Sequence, residues 1–202
     1  CLIALGNRKL YASKPEDAAK DFQAAVGRLQ SLAPLHGEPP ADVLRQTSIA
    51  LSNLGNALQI AKKDGEAPIR QAIDISQGLA RGDSPAPQDV QSLSVARATL
   101  AETLLARDPT SGEARDLLDE AVKAMRGLVE KAPTDPLRHF FLAAMAGPLA
   151  KTRPTPEAAK ADRELALAEA RQAVDLTGGK VATYRLLLVD SLSELAAVDA
   201  KL

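Results

Sequence analysis

Few side chains in this sequence are of a type and spacing that could do chemistry. There are two histidines, His36 and His139, and one cysteine, Cys1. Neither histidine has a nucleophile or an orienting carboxylate at a spacing that would assemble a catalytic group. His36 lies in a Pro/Gly-rich loop, which predicts a solvated imidazole, and His139 precedes Phe140-Phe141, which predicts partial burial beside those rings. A structural zinc site needs four ligands, mostly Cys and His, so this chain is expected to hold no metal and no cofactor. Gly178-Gly179 is read as the end of a helix and not as a phosphate loop. The adjacent carboxylates Asp119-Glu120 diverge on a helix and are expected on a solvated face. Cys1 has no neighbouring cation in sequence to activate it. The expectation is a chain that is not an enzyme.

Composition narrows the alternatives. Net charge is -1 with both signs interspersed, and no basic stripe exists to neutralise phosphates. With three Phe, two Tyr and no Trp there is little to stack on bases, so no nucleic acid partner is expected. No apolar run approaches the ~20 residues of a membrane span. A single thiol carries no disulfide signature. A lipidated mature chain would begin with Cys. Here Cys1-Leu2-Ile3-Ala4-Leu5-Gly6 already reads as helix, so the expectation is a fragment of a larger, cytoplasmic protein, a membrane-anchored parent being the alternative.

The elements that must position any site are helices. Prolines and glycines punctuate the chain into about nine helical stretches: Leu2–Ala12, Pro15–Leu32, Asp42–Lys63, Glu66–Ala80, Gln88–Arg107, one from Thr110 to Lys131, Asp135–Lys151, Thr155–Gly178 and Val181–Val198. Ser13 is expected to open the second, and Thr110 to cap the sixth with Glu113 reaching back as a capping box. Asp135-Pro136 and Thr155-Pro156 are each a cap followed by a proline suited to the first helical position. Gly147-Pro148 predicts a kink or an early end in the seventh helix, because proline removes a donor and crowds the preceding turn. The fourth hairpin is therefore expected to be the irregular one. Short connections make neighbours antiparallel.

The even-numbered helices share a pattern of a small residue, an apolar one four later and Ala three after that: Ala18, Phe22, Ala25; Gly65, Ile69, Ala72; Ala114, Leu118, Ala121; Ala166, Ala170, Ala173. The odd-numbered helices carry Leu followed by a small residue: Leu5-Gly6, Leu54-Gly55, Leu100-Ala101, Leu142-Ala143, at spacings of 49, 46 and 42 residues. Where the two helices of a hairpin meet, anything larger than Ala would hold the backbones apart. The expected repeats are 1–35, 40–82, 87–132 and 135–178, followed by a last helix at 180–199, in one helical domain spanning 1–202.

These features resemble the tetratricopeptide repeat family over essentially the whole chain. The period exceeds the usual 34 residues, as in long-helix variants such as the kinesin light chain type. The stretches LRQTSIALSNLGNAL, EARDLLDEAVKAMRGLVEKAPTDPLRHFFLA and AEARQAVDLTGGKVATYRLLLVDSLSELA are also similar to bacterial arrays attached to serine/threonine kinases. The resemblance implies an all-α fold, a right-handed α-solenoid of antiparallel hairpins whose first helices line a concave protein- or peptide-binding groove. It places Asn7, Asn56, Glu102 and Ala144 on that surface, with Asn53 and Thr99 beside them and Gln59 one turn further. Asn and Gln offer both donor and acceptor to an extended backbone. Relatives that grip a C-terminal carboxylate pair such Asn residues with Lys and Arg; Ile3, Val95 and Thr99 stand there instead, so no such clamp is expected.

The function expected is a protein-interaction scaffold within a bacterial signalling protein. The alternatives are an autoinhibitory or sensor array of a fused enzyme, and a structural oligomerisation module. The last helix bears on these. Leu186, Leu187, Leu188, Val189, Leu192, Leu195 and Val198 cover more than one of its faces, which calls for a next helix, a self-association contact, or both.

Overall fold

A computed structural model describes residues 2–32, 39–82 and 84–199. His36 and Cys1 lie outside them. The described residues form nine α-helices and no strand: α1 Leu2–Tyr11, α2 Pro15–Leu32, α3 Ala41–Ile60, α4 Glu66–Leu79, α5 Pro87–Arg107, α6 Gly112–Lys131, α7 Pro136–Lys151, α8 Pro156–Leu176 and α9 Ala182–Asp199. The all-helical expectation holds. The chain divides into two compact units, residues 1–103 and 104–202.

In the first unit α1 packs on α2, α2 on α3 and α3 on α4. The repeat pattern is what gets buried. Ala18, Phe22, Leu54 and Ala57 form one core cluster, with Ile3, Leu10 and Leu58 against it. Ala25, Val26, Ala50, Leu51, Ala72 and Ala96 form another. Phe22, fully buried, contributes on the order of 2–3 kcal/mol through removal of its ring from water. The ring fills the space opposite Gly6, where a Cβ would stand 2.6 Å from it. Alanine-sized contacts bring α3 and α4 close enough for two buried hydroxyls to bridge them. Ser48 Oγ donates to the Ala72 carbonyl at 3.0 Å and meets Ser76 Oγ at 2.5 Å.

In the second unit α6, α7, α8 and α9 pack in chain order. Ala114, Leu118 and Ala121 of α6 and Ala166, Ala170 and Ala173 of α8 are all buried, as are Leu142 and Ala143 of α7. Asp135 and Thr155 cap α7 and α8, accepting from Leu137 N and Ala158 N, and each is followed by proline.

Four local expectations need correction. Thr110 does not cap α6. Its hydroxyl and amide both donate to Asp108 Oδ1, which turns the chain early, and Ser111 becomes the cap, accepting from Ala114 N. Ser13 does not open α2 but closes α1. It adopts φ 55°, with Lys14 N donating to Lys9 O and Ser13 N to Leu10 O, the paired bonds of a Schellman ending. Lys62, at φ 57°, ends α3 in the same way, short of the expected end at Lys63. Of the kink or early end expected at Pro148, the early end does not occur, since α7 continues to Lys151. The proline falls in the last turn, so a single backbone bond is forgone there. Thr152 then closes the helix, its hydroxyl donating to Leu149 O at 2.7 Å.

Candidate functional site

The odd-numbered helices of the first unit carry the expected surface, and the structure ties them side by side. Asn53 Nδ2 donates to Asn7 Oδ1 at 3.3 Å, joining α3 to α1. Thr103 Oγ1 donates to Gln59 Oε1 at 3.1 Å and to Thr99 O at 2.9 Å, joining α5 to α3. Thr99 uses its own hydroxyl on Val95 O. Asn53, Asn56 and Gln59 recur every three residues along α3. The outer two are held by these bridges and Asn56 stands half-buried between them. Glu102 is exposed and has a partner of its own. Two bridges thus tie α3 to its neighbours, Asn53 to Asn7 and Gln59 to Thr103, with Asn56 between them along the helix. Part of its amide capacity is spent on spacing the helices, which the sequence did not disclose. Ala144, expected on the same surface, is half-buried on α7 in the other unit.

Arg45 of α3 is paired on both sides. At the N-terminal end of α3, Arg45 Nε donates to Asp89 Oδ1 at 2.7 Å and its NH2 to Oδ2 at 3.3 Å. Arg45 NH1 also reaches Asp42. Asp89 is only 5% exposed. The Asp89 carboxylate, more than the opposing cost of burial, holds the Arg45 guanidinium above its ordinary range. Sequence reading missed this pair. The available signal was the repeat itself, since Arg45–Asp89 and Gln59–Thr103 share a separation of 44 residues.

The second unit holds its helices with ion pairs, again unforeseen. Arg153, in the connection after α7, donates to Asp162 at 2.6 Å and to Asp119 at 2.9 Å. Asp119 is therefore not simply a solvated carboxylate beside Glu120. Glu194 of α9 takes Arg163 at 2.5 Å and Lys151 at 2.7 Å. His139 is buried more deeply than expected. Its Nε2 meets Pro133 O at 2.9 Å and its Nδ1 meets Glu169 Oε2 at 2.5 Å. The carbonyl can only accept, so Nε2 carries a proton and donates to it. With both ring nitrogens engaged, the imidazole has no lone pair to offer a substrate and works as a pin between α7, α8 and the preceding loop. No cluster of three or more His, Cys, Asp or Glu that could hold a metal occurs among the described residues. No helix among them is long and apolar enough to cross a membrane.

On α7 and α9 the aromatics gather: Phe140 stacks on Tyr184 at 4.9 Å and tilts against Phe141 at 5.6 Å. On α9 itself Leu187, Leu188 and Leu195 are half-buried and Val198 is buried, while Leu186, Val189 and Leu192 are 64%, 58% and 42% exposed. The excess of apolar residues noted in the sequence therefore resolves into one bare stripe.

Among the described residues the chain is an all-helical protein of serial hairpins. No family model matches the chain, and no curated protein is similar to it. Among solved structures, a chain titled "MamA RS-1 ArsTM double mutant" is similar at 15% identity and a TM-score of 0.43, over 99% of this chain and 93% of that one.

Proposed function

We propose that the chain is a protein-interaction module whose first unit binds an uncharged, extended stretch of another polypeptide across α1, α3 and α5. The observation that carries this reading is the position of Asn56. Its half-buried amide lies between two amides whose rotamers are fixed by the Asn7 and Thr103 bonds. A fixed row of this kind offers a donor and an acceptor to a peptide backbone at little cost in side-chain entropy. Arg45 is already paired with Asp89 and Asp42 and is not available to an anionic terminus, which favours a neutral segment over a charged tail. In this role the module would dock a partner for a larger signalling protein.

The test is selection of a displayed random peptide library on the full chain, compared with Asn56→Asp. The expected result is enrichment of extended, weakly charged peptides that bind the variant about five-fold or more weakly, with helicity and melting unchanged. Absence of enrichment over an unrelated helical protein would overturn the reading, as would equal binding by the variant.

A further inference from the structure

A hydroxyl has one hydrogen to give. Thr103 Oγ1 has two acceptors within reach, Thr99 O at 2.9 Å and Gln59 Oε1 at 3.1 Å. The other helical hydroxyls of the first unit show where such a hydrogen goes. Thr47 donates to Val43 O at 2.8 Å, Ser94 to Val90 O at 2.8 Å and Thr99 to Val95 O at 2.9 Å, each to the carbonyl four residues back. Thr103 stands in the same relation to Thr99 O, and a backbone carbonyl can only accept. With its hydrogen spent there, Thr103 Oγ1 turns lone pairs towards Gln59 and calls for a donor.

Gln59 can supply one. The two ends of a carboxamide are alike in size, and a half-turn about the last side-chain bond exchanges Oε1 for Nε2 without changing the packing. In that orientation Nε2–H donates to Thr103 Oγ1, and the hydroxyl, the carbonyl and the carboxamide are all satisfied. Thr103 is only 7% exposed, so little water competes for the contact. The amide oxygen then lies on the opposite side of the planar group, away from Thr103, on a residue that is half-buried. Asn53 follows the same rule at the other bridge. Its Nδ2 gives a hydrogen to Asn7 Oδ1 at 3.3 Å, and its own oxygen is kept. Both ends of the α3 row thus spend an N–H on a neighbouring helix and retain an acceptor.

We infer that Thr103 is a positioning residue of the peptide-binding face. By taking one N–H of Gln59 it fixes Gln59 as an acceptor, so the bound segment supplies a backbone N–H there and carries no proline at that residue. The inference rests on the α1–α3–α5 reading and sharpens it, from an uncharged stretch to one whose backbone donates at a set place.

The test takes one peptide from the library selection and measures its binding to the wild type, Thr103→Val, Thr103→Ser and Gln59→Leu, with melting as the check that each folds. Thr103→Val keeps the shape, loses the hydroxyl and is expected to bind about five-fold or more weakly. Thr103→Ser restores the hydroxyl and is expected to bind within about two-fold of the wild type. Methylating the peptide nitrogens one at a time should find one residue where the loss is about ten-fold on the wild type and about two-fold or less on Gln59→Leu, because the acceptor is gone. Should Thr103→Val not fold, this scan decides alone. NMR of the unbound chain reads the orientation separately: the two Nε2 hydrogens of Gln59 should exchange with water unequally in the wild type and alike in Thr103→Val. Equal exchange in the wild type overturns the inference. So does equal binding by Thr103→Val, no rescue by Thr103→Ser, or no methylated residue coupled to Gln59; where Asn56→Asp still weakens binding, the broader reading of the face survives. If no peptide binds the wild type, that reading falls and this inference with it.

Discussion

A methyl group placed on Gly55 would stand 2.2 Å from Cγ1 of Ile69 and 2.7 Å from the Gly65 carbonyl oxygen. This is where α3 and α4 touch, and backbone atoms on the far side cannot yield. Gly55→Ala is expected to cost about 2–3 kcal/mol, the range for overpacking a close contact. Gly27 and Gly78 have nothing within 4 Å of the same added atom. Alanine at either should stabilise by about 0.5–1 kcal/mol, through helix propensity alone. Urea denaturation of the three variants checks the contrast; a neutral Gly55→Ala would mean that the hairpin is looser than drawn.

The Arg45–Asp89 pair should behave as buried ion pairs do. Arg45→Met leaves a carboxylate 5% exposed with no counter-charge, at an expected cost of about 3–5 kcal/mol. The double variant Arg45→Met, Asp89→Leu removes the orphaned charge and is expected to regain most of that loss. A double-mutant cycle by chemical denaturation reads the coupling, which should be far larger than for the exposed Lys20–Asp17 pair.

The turn before α6 carries a pH dependence with a definite sign. The Thr110 hydroxyl, and then its backbone N–H, hold the Asp108 carboxyl below its ordinary 3.8. A depressed acid contributes stability that is present above its unfolded value and lost as pH falls through its folded one. The turn should therefore stay ordered through pH 4 and loosen only below the ordinary carboxylate range. Carbon NMR titration should find Asp108 below 3.8, moving up towards it in Thr110→Val. The capping correction predicts a further asymmetry. Ser111→Ala should cost about 1 kcal/mol as loss of an N-cap, whereas Thr110→Ala should leave the Ser111 cap in place.

His139→Leu removes the donor to Pro133 O and the partner of Glu169 Oε2 at once. The expected cost is about 2–3 kcal/mol, from the polar groups left behind. Hydrogen exchange should locate the loosening at the start of α7 and the facing part of α8, with α1 to α4 unaffected.

What the sequence made legible was the packing. Ala18, Phe22 and Ala25, and their counterparts in α4, α6 and α8, repeat at helical spacing because each must enter the same narrow contact, and all but Gly65, the residue before α4, lie within helices. Asp135 and Thr155 were legible as caps because a following proline leaves few other conformations. The left-handed residues Ser13 and Lys62 were not, since only glycine advertises that geometry and these positions are set by the chain ends they join. The long-range ion pairs were hidden for a different reason. Charged residues are plentiful on every helix, and only the offset between repeats singles out Asp89 for Arg45. Among the expected site residues, periodicity could not show that Asn7 and Asn53 would satisfy each other.

The stacking of Tyr184 on Phe140 has a practical consequence. The chain contains no tryptophan and two tyrosines, so ultraviolet emission arises from Tyr11 and Tyr184 alone. Tyr11 is 85% exposed and already sees water, whereas Tyr184 is partly enclosed against a ring 4.9 Å away. Intrinsic fluorescence is thus a built-in reporter of the second unit, nearly blind to the first. Compared with far-UV dichroism, which sums all the helices, it allows the melting of residues 104–202 to be followed without any label.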